Sequence, residues 1–147
     1  MKKIISLALL CLSVCAFAKP VEVEKVIARE SIAGSKITAV YMDILNNSDE
    51  NLSLTAVKTK VSKKAEIHES SQVKCHEGND SHGVFKMRQL DKVEIPAHGT
   101  VSLAPGGYHI MLIDLVKPLK QGDKVNLTLV FSDKSQQDVT ALVTSNL

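Results

Sequence analysis

Four side chains able to hold a soft metal ion stand at ordered intervals along this chain: His68, Met87, His109 and Met111. The tightest grouping lies in Pro105-Gly106-Gly107-Tyr108-His109-Ile110-Met111. Its two glycines predict a tight turn at the start of a strand. Along that strand, positions 109 and 111 project from one face, while Ile110 and Leu112 project from the other, toward a core. An imidazole and a thioether side by side form a two-point clamp. Imidazole suits several transition metals, whereas a thioether adds affinity mainly for soft ions such as Cu(I). The competing reading makes Met111 core filler and His109 an edge residue, since methionine packs cores far more often than it binds metal. The His-x-Met pair alone does not decide between them.

Two further residues extend the set. His68 stands in Ala65-Glu66-Ile67-His68-Glu69, where alternation turns Ile67 inward and His68 outward. Met87 is flanked by Lys86 and Arg88 in a short apparent strand, and taken alone it reads equally as core or as ligand. Cys75, His76 and His82 form a possible accessory group, because thiolate and imidazole both suit copper and zinc. Their spacing matches no zinc motif, and the default for that segment is an exposed loop. His98 falls in a Pro96-Ala97-His98-Gly99 turn, and Met42 falls on the inward face of its strand.

The elements that must position these residues are strands. Val21-Glu22-Val23-Glu24 alternates strictly, and Val40, Met42 and Ile44 share one face. Further runs cover 52–57, 65–68, 84–88, 92–95, 100–103, 109–115, 124–132 and 138–144, separated by polar turns. The pattern predicts an all-β fold, an Ig-like antiparallel β-sandwich of about seven to nine strands. Ser70 to Gly83 is polar and lacks alternation, and it reads as a long loop.

The N-terminus reads as an export signal. Lys2 and Lys3 precede an apolar run from Ile4 to Val14, and Ala16-Phe17-Ala18 supplies the small residues of a cleavage site after Ala18. The run is too short for a membrane helix of about 20 residues. Leu12-Ser13-Val14-Cys15 faintly suggests a lipid attachment site, but Val14 is large for the position before such a cysteine, so soluble export to the periplasm is the expectation. Residues 19–147 then form one domain of ordinary size. Removing Lys2 and Lys3 brings Lys+Arg 18 level with Asp+Glu 16, which argues against nucleic acid or an anionic membrane as the main partner. Cys11 and Cys15 leave with the signal, so Cys75 is the sole mature cysteine and no internal disulfide can form.

Taken together, these residues resemble the periplasmic copper chaperone family PCuAC. Its pattern is a His, then a Met, then an interval of twenty-one residues, then His-x-Met; that interval separates Met87 from His109 here. Ile67-His68-Glu69, Lys86-Met87-Arg88, Val93-Glu94-Ile95-Pro96-Ala97 and Leu103-Ala104-Pro105-Gly106-Gly107-Tyr108-His109 match as well. The resemblance implies a cupredoxin-like sandwich on which His68, Met87, His109 and Met111 coordinate one Cu(I). It implies delivery of that ion to an acceptor protein of the respiratory oxidase pathway, toward the Cu(A) centre of cytochrome c oxidase. The chain departs from the family in two ways. Between His68 and Met87 lie 18 residues where the family has about ten. The frequent His- and Met-rich C-terminal tail is absent, and the sequence ends at Ser145-Asn146-Leu147.

No nucleophile signature, phosphate-binding loop or convincing acid pair is visible, so a carrier and not an enzyme is expected, as a monomer. Two other classes remain open at this level: an exported protein-interaction module with incidental His and Met, and a zinc carrier using His68, His109 and Cys75.

Overall fold

Strands built from β-branched residues need one face covered, and here a single long sheet covers its own. A computed structural model describes residues 20–73 and 84–146. It contains β1 (Val21–Arg29), β2 (Ile37–Asn46), β3 (Leu52–Thr59), β4 (Ser62–Val73) and β5 (Val84–Leu90). These are followed by β6 (Val93–Ile95), β7 (Thr100–Leu103), β8 (Tyr108–Leu115), β9 (Lys124–Phe131) and β10 (Gln136–Thr144). The order across the sheet is β5-β4-β8-β7-β2-β1-β10-β9-β3-β6. The sheet curls so that β3 packs against β4 and β6 against β2 and β7. The fold is all-β, as the alternation predicts.

Three details differ from the sequence reading. Ten strands form among the described residues, against the seven to nine expected, because pieces as short as Val93–Ile95 and Thr100–Leu103 each pair as separate strands. The pairing is not purely antiparallel, since β1 runs parallel to β10 through Ile27 to Arg29. Ser70 to Val73 continues β4 and pairs with β5 as far as Val84, where a loop was expected. The cause is geometric. The β4–β8 ladder ends at Glu69 and Tyr108, so beyond it only β5 accompanies β4. A two-stranded extension has no core to cover and imposes no apolar alternation.

The core fills from alternate positions. On β2, Val40, Met42 and Ile44 are buried; on β9, Val125, Leu127, Leu129 and Phe131; on β8, Ile110 and Leu112. Each such side chain contributes about 1.5–3 kcal/mol. Parity shifts once on β1, where the pairing slips between Glu24 and Ile27 and Lys25 has a φ of 50°. Val21 and Val23 therefore face inward before this bulge, and Val26 and Ala28 after it. The strands that carry the candidate ligands are thus anchored from below by a core that uses none of them.

Candidate metal centre

Interstrand register decides which of the four residues meet. On β4 and β8, His68 lies directly opposite His109, and Glu66 lies opposite Met111. On β4 and β5, Ser70 lies opposite Met87, and His68 opposite Gln89. Residues directly opposite share a face, so all four candidates project from the side away from Ile67, Ile110 and Leu112. Met111 and Met87 are both diagonal neighbours of His68, about 7–8 Å away along the backbone and within reach of an unbranched side chain. Met87, His109 and Met111 line one groove of about 700 Å³, together with Tyr41, Ser70 and Pro105. His68 sits behind that groove with its side chain 13% exposed.

The imidazoles are spaced to share an ion. Their ring centroids lie 5.8 Å apart. A metal about 2.0–2.1 Å from a ring nitrogen lies about 3 Å from that ring's centre, so two imidazoles on one ion stand about 5–6 Å apart.

Hydrogen bonds then fix each ring. The carbonyl of Gly107 accepts from His109 Nδ1 at 3.1 Å and from the backbone N–H of Ser70 at 2.9 Å. His109 therefore carries its proton on Nδ1 and its lone pair on Nε2. The carbonyl is aimed by the turn the glycines predict: Gly106 has a φ of 84° and the Gly107 N–H bonds to Ala104 O at 3.0 Å. His68 Nε2 lies 2.9 Å from Glu66 Oε2, and its Nδ1 is buried with no hydrogen-bond partner among the described residues. Leaving such a group unmatched costs about 1–3 kcal/mol, and an ion in the site would remove that cost. Tyr41, its ring 6.4 Å from that of His109, closes the far wall; burial pushes its phenol above the ordinary range, against the pull of Arg29.

The donor set itself is soft. Among the described residues no three His, Cys, Asp or Glu side chains gather closely enough to hold a metal ion. The thioethers beside the two imidazoles are soft donors, which favour Cu(I) over zinc. Exposure falls steeply across the set, from Met87 at 62% to His109 at 4%. Met42 is core at 1%, as the inward face of its strand predicts, whereas Met87, ambiguous by sequence alone, stands out from the surface. His98 is exposed and pairs with Asp49 at 2.8 Å. Cys75, His76 and His82 lie outside the described residues.

The sequence model of the LpqE-like family, described as a lipoprotein family, spans residues 21–143 of this chain. The chain belongs to the LpqE-like family. A relative named as a lipoprotein, Lxx21020 of Leifsonia xyli subsp. xyli, is 38% identical over 112 residues, which are 76% of this chain and 63% of that protein. The chain spans less than two thirds of the length of the curated relatives it matches. Among solved structures, the Cu(I) form of DR1885 from Deinococcus radiodurans is 32% identical with a TM-score of 0.66, covering 90% of this chain and 83% of that one. The apo PCuAC domain from PmoF1 is 28% identical with a TM-score of 0.69, covering 86% and 95%. This LpqE-like chain therefore shares its fold with PCuAC domains.

Sequence reasoning missed Glu66, Tyr41 and the Gly107 carbonyl. Alternation does put Glu66 on the face of His68, so that signal is present in the sequence. Tyr41 reaches the site only because β2 pairs with β8, with Ala39 opposite Met111, and no local pattern reveals that.

Proposed function

We propose that this chain is an exported Cu(I) carrier of the PCuAC type, holding one ion through His68, Met87, His109 and Met111. The observation that carries this reading is His68 directly opposite His109, its buried Nδ1 without a partner among the described residues, with two thioethers on the same face. The likeness to the Cu(I) form of DR1885 supports it. In this reading copper is cargo. The exposed Met87 is the first donor an incoming ion meets and the first an acceptor's ligand displaces, while His68 and His109 hold the ion from beneath. Two neutral imidazoles and two thioethers favour the monovalent ion, and the recessed donors limit its contact with oxidants.

Export follows from the N-terminal pattern: cleavage after Ala18, release to the periplasm, and a monomeric domain from Lys19 onward. The acceptor that the PCuAC resemblance implies is the assembly pathway of the Cu(A) centre of cytochrome c oxidase. The lipoprotein description of the LpqE-like family favours a second reading of the N-terminus, with Cys15 lipidated and the domain tethered to a membrane. The mass of the processed protein separates the two, since a lipidated Cys15 retains its acyl chains.

The deciding experiment is competition against a calibrated Cu(I) chelator, followed by X-ray absorption. One tight Cu(I) with two nitrogen and two sulfur donors is expected. Tight zinc binding with weak Cu(I) binding, or no binding of either, overturns the proposal.

A further inference from the structure

We propose that Glu66 is a positioning residue that sets the tautomer of His68, so that the ion is taken by Nδ1 of His68 and Nε2 of His109. This rests on the copper reading above and adds which nitrogens serve and what selects them.

A carboxylate only accepts hydrogen bonds, so an imidazole nitrogen 2.9 Å from Glu66 Oε2 must carry the proton. In the neutral ring that leaves the lone pair on Nδ1. Nδ1 is buried and has no hydrogen-bond partner among the described residues, so the other tautomer would place its proton where none of them accepts it. Of the two tautomers, the Nε2-protonated one is the one these contacts fit. His109 is held the other way, because its Nδ1 donates to the Gly107 carbonyl. The two rings lie opposite each other across one strand pair, 5.8 Å between centroids, and the nitrogen left without a proton is Nδ1 in one and Nε2 in the other.

Glu66 is placed for this by register. It stands two residues before His68 on the same face of β4 and opposite Met111 on β8, with its side chain 23% exposed. Glu69, the neighbouring carboxylate, is different. It lies opposite Tyr108 on the other face and pairs with the exposed Arg88 at 2.8 Å. A carboxylate holding the far nitrogen of a ligating histidine fixes ring orientation and raises ligand basicity, and its loss typically lowers affinity about 10–100-fold.

Long-range ¹H–¹⁵N correlation spectra of the apo protein report each ring's tautomer directly, and they do so whether or not copper binds. The expected result is Nε2–H for His68 and Nδ1–H for His109. Glu66→Ala should turn His68 into a mixture of tautomers and weaken Cu(I) binding about 10–100-fold. Glu66→Gln, whose carbonyl oxygen still accepts, should restore the single tautomer and most of the affinity; Glu69→Ala should change neither. On loading with Cu(I), the large nitrogen shift should fall on Nδ1 of His68 and on Nε2 of His109. A His68 ring protonated on Nδ1 in the apo protein, a copper-induced shift on its Nε2, or an unchanged tautomer in Glu66→Ala overturns the proposal. Failure of the wild-type protein to bind Cu(I) while the tautomers stand as expected would instead refute the carrier reading.

Discussion

His68 and His109 face each other directly across the β4–β8 ladder, their ring centroids 5.8 Å apart. That one pairing turns two residues far apart in sequence into a preformed pair, and it makes the consequences of single substitutions calculable.

Replacing His109 or Met111 with Ala should lower Cu(I) affinity at least about tenfold, while His98→Ala leaves it unchanged. Met42→Ala provides the opposite control. Its side chain is buried at 1%, so unfolding in denaturant should reveal a loss of about 2–5 kcal/mol with the Cu(I) affinity retained. Equal losses of affinity in Met42→Ala and His109→Ala would place the ion elsewhere.

Met87→Leu keeps the volume and removes the sulfur at the most exposed donor. Stopped-flow transfer to a competing chelator should be faster than in the wild type, with equilibrium affinity reduced less than in His109→Ala. Slower transfer would show that Met87 is not the exchange point.

The core packs from Ile67, Ile110 and Leu112 and includes none of the four candidate ligands. Apo protein should therefore show the full β-sheet circular dichroism and dispersed amide signals, and chelators should leave both in place. Proteins folded by their metal behave oppositely. Disorder of the apo form that copper reverses would contradict this expectation.

Gly106 tests the turn beneath His109. An added Cβ meets nothing within 4 Å, so Gly106→Ala is opposed only by its φ of 84°. A cost of about 1–2 kcal/mol in denaturant unfolding is expected, with a measurable fall in Cu(I) affinity as the Gly107 carbonyl moves. An unchanged affinity would mean that this carbonyl does not orient the ring.

Joint replacement of Cys75, His76 and His82 addresses the accessory group suggested by sequence. One tight Cu(I) site should survive in a titration, and any weaker second binding event should vanish. Loss of the tight site would transfer primary coordination to those residues.

Much of this was legible before any coordinates. Alternation assigns Ile110 and Leu112 to the core and His109 and Met111 to the opposite face, because one buried face imposes a strict period of two. Alternation also puts Met42 inward with Val40 and Ile44, but it could not place Met87; only the position of β5 at the end of the sheet does so. The 18 residues between His68 and Met87, where about ten are usual in the resembling family, also find a physical account. Hairpin register, with Ser70 opposite Met87, aligns the donors, so the length of chain joining the two strands is free to vary. The interval from Met87 to His109 instead runs through β6 and β7, both locked in ladders, and it matches the family's spacing.

The Gly107 carbonyl has a consequence for how such a centre evolves. It orients the His109 ring with a main-chain atom, which no side-chain replacement can delete, whereas His68 is oriented by a side chain that one codon change removes. One half of the centre is thus open to mutation only through the backbone of the Gly106 turn, and the other half through direct exchange of a side chain. Variation among descendants of this sequence would then accumulate first at position 66, altering how firmly the ion is held, while the geometry around residue 109 persists for as long as the Gly106 turn does.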